Sequence, residues 1–218
     1  MKLIIEEEVR RAAPGVKVIV VEAGVSNPPT PDALWDEIRA AAVEFKDTPM
    51  ENVNRRPAIA ATRAAYKALG KEPNRYRPSA EALCRRCVKG LELYRSSAII
   101  DLINLLSIHS GHSIGGFDAD KIQGDKLSLG VGREGEPYEA IHRGPLNIAH
   151  MPVIRDAIGG IGTPTSDNDR TKLSDSTTRL LMTINLYNGL DAETMVKETE
   201  RLLRDYAGLT DFTYNIYY

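Results

Sequence analysis

Two glycine-rich stretches of the sequence carry side chains that are able to do chemistry. The first follows a long apolar run and contains His109 and His112 just before Gly115 and Gly116. Imidazole binds metal ions and transfers protons near neutral pH, and glycine lets a backbone turn sharply and approach a ligand closely. Asn104 lies on a polar face of the preceding apolar segment. Together these residues predict one wall of a binding pocket.

The histidines are followed by Asp118 and Asp120, and the group has three interpretations. A spacing of three puts both imidazoles near one side of a helix end, where the carboxylates can complete a metal site. The same groups can instead line a polar pocket, or lie on the surface at a helix C-terminus, where histidine is favoured electrostatically. Because no third histidine or supporting pattern is present, we predict neither a metal ion nor a cofactor.

The second stretch runs from a predicted strand through a G-G-I-G sequence into the polar loop TPTSDNDRT. Its candidate substrate-binding residues are Asp156, Thr163, Thr165, Ser166 and Asp167. Glycine loops expose N–H groups that bind a carboxylate, a phosphate or the oxyanion of an ester under hydrolysis. The alternative is a hairpin loop closed by its own Asx and Ser/Thr turns.

We expect the two loops, 109–118 and 159–171, to face each other across one cleft. Both follow regular elements, both are rich in glycine, and both carry more polar groups than a simple turn requires. Such groups are costly to bury unless they pair with each other or meet a ligand.

A third group of residues is cationic. Five basic residues fall within fifteen positions: Arg75, Arg77, Arg85, Arg86 and Lys89. Such a cluster can hold an RNA phosphate backbone, a 3′ end or an anionic substrate, although runs of charge on helices commonly face solvent. The formal net charge of −2 argues against a generic nucleic-acid binder, which would carry a basic excess. Any RNA contact is therefore predicted to be local.

The two cysteines form a C-x-x-C sequence but predict a structural role. Cys84 and Cys87 lie in the middle of a helical pattern, whereas a thioredoxin-type pair begins a helix after a strand. No second pair is near enough in sequence to complete a zinc site. We therefore expect two reduced, buried cysteines.

The periodicity predicts an α+β fold with an irregular multi-layer arrangement, because helices dominate the first half and strands the second. Helices are predicted over 32–46, 57–69, 79–89, 97–109 and 192–206, the last capped by Asp191. Strands are predicted over 2–6, 16–22 and 179–188, with a strand-turn-strand over 126–141 and a strand that enters a tight loop over 151–162. The 218 residues are expected to form one domain, with 1–50 as an N-terminal strand-helix part. The aromatic segment 210–218 is either a strand or an ordered tail.

Hydropathy predicts a cytoplasmic protein without membrane contact. No apolar run approaches the roughly 18–20 residues that cross a bilayer, and the N-terminal sequence MKLIIEEEVRR is too short and acidic for a signal peptide.

The first stretch resembles the editing domain of the bacterial phenylalanyl-tRNA synthetase β subunit. When Asn104 is placed on the family asparagine, Gly111, Phe117 and Asp118 fall on its glycine, phenylalanine and aspartate without a gap. In a second block, 153–171, the positions that match a strand, an aspartate and a Gly-x-Ile-Gly sequence are Asp156, Gly159, Ile161 and Gly162. The resemblance covers about residues 50–205, and RPSAEALCRRC, GHSIGGFDADKI and GGIGTPTSD are most similar to freestanding forms of this domain.

The resemblance implies the editing-domain fold, RNA binding and hydrolysis of a mischarged aminoacyl-tRNA ester in trans. It implies that Asn104 lines the amino-acid site, with the second loop facing it and the basic residues meeting the tRNA acceptor end. Gly115 stands where the family has a histidine, and Thr183 or a neighbour replaces its glutamate, so specificity for tyrosine is not implied. The alternatives are a non-catalytic module for an amino acid or small metabolite, and an RNA-binding fold without catalysis.

Overall fold

The chain folds into six helices and ten strands, and the computed structural model describes all residues from 1 to 218. The strands are β1 (Lys2–Ile5), β2 (Lys17–Gly24), β3 (Ile114–Asp118), β4 (Lys126–Val131), β5 (Glu139–Ala140), β6 (Gly144–Pro145), β7 (Pro152–Arg155), β8 (Gly160–Gly162), β9 (Arg179–Leu186) and β10 (Asp211–Tyr217). The helices are α1 (Glu7–Ala12), α2 (Asp32–Val43), α3 (Pro57–Ala68), α4 (Ser79–Val88), α5 (Ala98–Ser110) and α6 (Ala192–Tyr206). Short 3-10 helices cover Met50–Arg55, Ala119–Lys121 and Asp169–Thr171.

Two four-stranded sheets form the frame. The central sheet has the order β10-β2-β9-β3 and is antiparallel throughout. The outer sheet has the order β1-β4-β7-β8, with β1 parallel to β4 and the other pairs antiparallel. Strands β5 and β6 form a small separate hairpin. Because β1, β2 and β10 come from the two ends of the chain, both sheets depend on segments far apart in sequence.

Strands β2, β9 and β3 of the central sheet are buried on both faces, whereas the edge strand β10 is partly exposed. Along β2, Ile19 and Val21 point into a large apolar core that includes α2, α4, α5 and α6. The intervening Val18 and Val20 point into a second core, shared with the outer sheet. Alternate residues of a strand point to opposite faces, so an uninterrupted apolar run such as VIVV, residues 18–21, indicates a strand covered on both sides. The result is three layers: helices, central sheet and outer sheet.

Helix α5 lies at the middle of the helix layer and ends where the sequence analysis expects. Nine of its thirteen residues are buried, and Gly111 follows it with a φ of 80°, in the left-handed conformation typical of a glycine that ends a helix. Arg56 donates hydrogen bonds to the last carbonyls of the helix, at Ile108 (2.7 Å) and His109 (2.6 Å). These bonds satisfy acceptors that have no partner within the helix.

The predicted α+β class is confirmed, and the predicted helices are present with small shifts at their ends. Cys84 and Cys87 are free and buried in α4, as expected for a structural pair. The aromatic segment at the end of the chain is an edge strand, β10, paired with β2. No helix has the length and apolar character that a membrane crossing requires.

Phe117 joins the two sheets, and two glycines make room for its ring. The ring is fully buried in the core between the sheets. A Cβ atom at Gly115 would lie 2.6 Å from Phe117 Cζ, and one at Gly162 would lie 2.7 Å from the same atom. Two carbon atoms cannot approach this closely without a steric clash. The packing of Phe117 therefore requires glycine at both positions.

We predict that Gly162→Ala destabilises the protein by about 1–3 kcal/mol, the usual cost of overpacking a core. The neighbouring Gly159→Ala is the matched control, because a Cβ there meets no atom within 4 Å. Urea unfolding of both variants measures the difference. Gly162→Ala should cost less stability when it is introduced into Phe117→Leu than when it is introduced into the wild type, because the smaller leucine leaves room for the added Cβ. Equal stability of the Gly162 and Gly159 variants would contradict the role given to Phe117.

Candidate functional site

Asn104 of α5 and Thr165 of the second loop line one cleft of about 650 Å³. Five cationic side chains line the same cleft, which we call the cationic cleft: Arg77, Arg85, Arg86, Lys89 and Arg143. No aspartate or glutamate is among its lining residues. The cleft therefore presents a concentrated positive potential that suits an anionic ligand.

Four of the five predicted basic residues belong to this cleft, and Arg75 does not. The side chain of Arg75 is exposed, and its guanidinium carbon lies 5.5 Å from the ring centroid of Tyr76. Arg77 lies just before α4, and Lys89 follows Arg85 by four positions and Arg86 by three, which brings these three to one side of the end of the helix. The amphipathic pattern of α4 thus determines which members of the basic run meet.

The buried carboxylate of Glu81 holds part of the cationic cleft in place. Its Oε1 atom accepts from Arg85 Nε at 2.8 Å and lies 3.6 Å from Arg77 Nε, while its Oε2 atom accepts from Arg63 Nη1 at 2.8 Å. Glu81 is completely buried, and a buried charge is tolerated only when it is paired and hydrogen-bonded. Arg86, Lys89 and Arg143 have no acidic partner, so their charge is available to a ligand.

An aromatic side chain lies at the mouth of the cleft beside one of its arginines. The Tyr94 side chain is 77% exposed, which is unusual for an aromatic residue, and it lines the cleft. The Arg86 guanidinium carbon lies 4.3 Å from its ring centroid, and Arg86 Nε donates to the Glu92 carbonyl at 2.7 Å. The pair offers a flat, positively charged platform.

The second loop is partly closed on itself. Thr163 Oγ1 accepts from the amides of Thr165 (3.2 Å) and Ser166 (3.1 Å) and donates to the Ser166 carbonyl (2.9 Å). Thr165 Oγ1 donates to the Tyr76 carbonyl at 3.1 Å and lies 2.8 Å from the Tyr66 hydroxyl, which therefore donates to it. The loop is closed by its own Ser/Thr turn at Thr163, as the second interpretation predicts. Thr165 also lines the cleft, and a ligand-binding role for the loop stays a prediction.

The two loops contact each other, but they do not face each other across the cleft as predicted, because no residue of 109–118 lines it. The Gly116 amide donates to Asp167 Oδ2 at 3.2 Å, and Phe117 forms an isolated bridge with Lys172. These contacts cover the edge of β3 that does not pair with β9. Asp167 lies behind Thr165, outside the residues that line the cleft, and burial raises the pKa of its carboxyl to about 7.

A protein-family model, the B3/4 domain, matches residues 61–204, about two thirds of the chain. The chain belongs to the B3/4 domain family. This domain is found in the phenylalanyl-tRNA synthetase β subunit, and the fold is of that α+β type, as the sequence analysis predicts.

One solved structure is similar to the whole chain: an N-terminal fragment of the phenylalanyl-tRNA synthetase β subunit from Pyrococcus horikoshii. The identity is 11% and the TM-score 0.49, over 97% of this chain and 50% of that one. The present chain thus spans about half the length of the fragment. No curated protein sequence matches.

The two histidines of the B3/4 domain do not line the cleft with Asn104, contrary to the sequence-based prediction. His109 is exposed at the end of α5. His112 is completely buried on the helix side of the central sheet, with no hydrogen-bond partner for either ring nitrogen, and its Nε2 atom lies 3.9 Å from Asp191 Oδ2. Burial lowers the pKa of His112 to about 4. A turn at Gly111 separates the two histidines, so their spacing no longer puts them on one face.

Gly115 and Gly116 are required for packing, and neither opens the backbone toward a ligand as predicted. The position of Gly115 is set by the Phe117 ring, and a Cβ at Gly116 would lie 2.4 Å from Ile103 Cδ1. Gly116 contributes its amide, but to Asp167. A glycine-rich sequence does not distinguish close approach to a ligand from close approach to a neighbouring side chain.

Both carboxylate oxygens of Asp156 accept hydrogen bonds from other groups of the protein, and the residue lies outside the cleft, contrary to its predicted binding role. Its two oxygens accept from Arg170 at 2.8 and 3.0 Å and from the backbone amides of Gln123, Ile158 and Gly159. These donors hold the pKa of Asp156 below its usual value despite burial. The carboxylate closes the turn between β7 and β8 and ties it to the 3-10 helix of Arg170.

Two cleft residues escape sequence reasoning. Tyr94 follows the basic run by five positions, and an exposed tyrosine next to arginine is a usable signal. Arg143 comes from the β5–β6 hairpin, more than fifty residues away, and only the fold brings it to α4.

We predict that Asp167 makes the B3/4 domain more stable at pH 5 than at pH 8. The folded pKa is about 7, above the unfolded value of about 3.9, so the folded state binds the proton more tightly. This contribution is fully present below pH 4 and is lost as the pH rises to 7, with a slope of at most about 1.4 kcal/mol per pH unit.

Urea unfolding of the wild type and Asp167→Asn at pH 5 and pH 8 measures this effect. Comparison with the variant separates Asp167 from groups with the opposite dependence, such as His112. Asp169→Asn is the control, because that exposed carboxylate forms a surface ion pair with Lys172. If the free energies of unfolding of the wild type and Asp167→Asn differ by the same amount at both pH values, the prediction is wrong, and protonation of this carboxyl does not contribute to stability.

Proposed function

We propose that the cationic cleft binds the acceptor end of a tRNA and that the domain hydrolyses a mischarged aminoacyl ester there. One observation carries the proposal: Asn104, Thr165 and five cationic side chains line a single cleft that lacks acidic lining residues. The two sets were predicted separately, as an amino-acid pocket and as an RNA contact. Their common location supports a ligand with an amino-acid part and a phosphate part.

The charges support a nucleic-acid end. Arg86, Lys89 and Arg143 carry no acidic partner, so each is free to meet a phosphate. Binding of RNA phosphates by cations releases counterions and makes affinity depend strongly on salt. A cleft of this size takes one or two nucleotides, which agrees with an overall charge too low for contact with a long duplex.

The Tyr94–Arg86 pair supports an unpaired base. Single-stranded RNA is bound by stacking of its bases on aromatic rings and guanidinium planes. Tyr94 is exposed at the mouth of the cleft, where a terminal base would lie if its phosphate met Arg86 or Lys89. A tRNA acceptor end, which is single-stranded, has this chemistry.

Hydrolysis at this site would use positioning and hydrogen bonds without a protein nucleophile. No histidine, cysteine or carboxylate lines the cleft, so a bound water would attack the ester carbonyl directly. The Asn104 amide is the group that would stabilise the developing oxyanion, whereas Thr165 Oγ1, whose proton is donated to the Tyr76 carbonyl, would accept a hydrogen bond from the attacking water. Ser166 and Thr163 shape the loop that presents Thr165.

The lack of a general base in the lining favours one alternative, binding without turnover. In that case the cleft holds an amino acid or another small anionic metabolite, and the ligand raises the unfolding temperature by mass action.

We further propose that residues 1–218 act as one unit, since β2 and β10 lie outside the family match yet complete the central sheet. The predicted cytoplasmic location agrees with a tRNA ligand.

We predict that replacing Arg86 and Lys89 by alanine weakens binding of an RNA with a single-stranded 3′ end. The double variant should lose about tenfold or more in affinity, and its salt dependence should fall by roughly one to two released ions. Arg75→Ala is the matched control, since it belongs to the same basic run but lies outside the cleft. Gel-shift titrations at several salt concentrations measure both quantities. Equal losses in the control and the double variant would rule out the cleft as the binding site.

We predict that the domain deacylates at least one member of a panel of mischarged tRNAs. Thr165→Val and Asn104→Leu should lower kcat/KM at least tenfold, because each removes a hydrogen-bonding group from the cleft while keeping its bulk. Release of labelled amino acid measures the rate, and thermal unfolding checks the fold. Background rates with every tRNA, together with salt-dependent RNA binding, would establish an RNA-binding fold without catalysis. Stabilisation by a free amino acid alone would establish the metabolite-binding module.

A further inference from the structure

A second cavity, of about 660 Å³, lies in the helix layer between α2 and the C-terminal end of α4. We call it the Trp35 groove. Eight of its thirteen lining residues are hydrophobic, and those on the walls include Trp35, Ile38, Ala42, Val43, Val88 and Leu91. Val43 is 66% exposed and Leu91 49% exposed, although both border other apolar side chains. Exposed apolar residues gathered in one concave place indicate a binding surface.

The rim of the Trp35 groove is cationic. Arg39, Lys46 and Lys89 line it, against a single acidic residue, Glu92. Arg39 forms only an exposed ion pair with Asp36, at 3.4 Å, and Lys46 has no acidic partner. An apolar floor with a positive rim is complementary to a ligand that has an apolar body and one negative charge at its end.

We propose that the Trp35 groove binds a small apolar carboxylate, with its hydrocarbon or aromatic body between α2 and α4 and its acid group at Lys46 and Arg39. The volume lies within the range of about 300–1,000 Å³ that is typical of small-molecule sites. The carboxylate forms charge-assisted hydrogen bonds at the rim, and the burial of its apolar body drives binding.

The Trp35 groove and the cationic cleft share one wall. Lys89, Leu91 and Leu93 line both cavities, so the segment 89–93 separates them. The two sites remain chemically distinct, because eight of the thirteen residues that line the groove are hydrophobic, whereas the cleft has five cationic side chains among fourteen and no acidic one. The test uses residues of the groove alone, and its outcome is therefore independent of tRNA binding.

Trp35 is the only tryptophan in the chain and reports directly on the groove. The probe is decanoate, used below its micelle-forming concentration. The control ligand is 1-decanol, which has the same chain length but no negative charge. We expect a saturable change in Trp35 fluorescence with decanoate and at least fivefold weaker binding of decanol. Isothermal titration calorimetry confirms the affinity without relying on fluorescence.

Three variants locate the site. Ala42→Phe fills the groove and should weaken decanoate binding at least tenfold. Val43→Glu places a negative charge at an exposed position that tolerates any side chain, and should weaken binding similarly. Lys46→Gln should weaken binding about threefold, the scale of an exposed ion pair, whereas Lys126→Gln, on the outer sheet, should have no effect. Circular dichroism and thermal unfolding confirm that each variant folds.

The proposal is overturned if decanoate gives no saturable signal in either measurement. It is also overturned if decanol binds as tightly as decanoate, since the charged rim then contributes nothing. Undiminished binding in folded Ala42→Phe and Val43→Glu would place the ligand elsewhere.

Discussion

The structure depends on the burial of both faces of the central sheet. Strand β2 is apolar on both sides and strand β9 is buried on both sides, so each face must be covered by a separate layer. Full burial of one valine, leucine or isoleucine contributes about 1.5–3 kcal/mol, and these two strands contain many such residues. The helix layer and the outer sheet are the two layers that remove this surface from water. The cationic cleft lies where these layers meet, because the Ser79 amide of α4 donates to the Pro164 carbonyl of the loop after β8 at 2.7 Å.

A buried carboxylate then determines how the positive charge is arranged. Glu81 lies on the buried side of α4 and pairs with Arg63 and Arg85, so part of the charge of the basic run is neutralised within the protein. Such a pair costs desolvation energy and contributes little net stability, but breaking it leaves an uncompensated buried charge. Its consequence here is orientation: Arg85 is held at the wall of the cleft, while Arg86 and Lys89 remain unpaired. The cleft therefore has one arginine that is held in place by an ion pair and two cations that are free to bind a ligand.

The glycines show how far sequence reasoning extends toward the site. Their clustering correctly indicated two tight loops that approach each other, and the resemblance to the editing domain correctly placed both loops together. The reason for the approach was different, because Gly115 and Gly162 make room for the Phe117 ring and Gly116 for Ile103. Asp156 and the histidines were misplaced for a related reason: a polar side chain near a glycine turn can be used entirely by the protein. Hydrogen-bond partners far away in sequence, such as Arg170 for Asp156, determine that outcome.

The sequence by itself determined the layers and most of their elements. Apolar periodicity identified the helices, β-rich runs identified most of the strands, and the clustering of basic residues identified a cationic surface, since each of these signals is local. Only the tertiary structure decided which polar groups share the cleft. Arg143 reaches it through a distant hairpin, Arg75 lies outside it, and His112 is completely buried and does not line it. The physical reason is that a site requires atoms within a few ångströms of each other, and that proximity comes from the packing of layers whose contacts are remote in sequence.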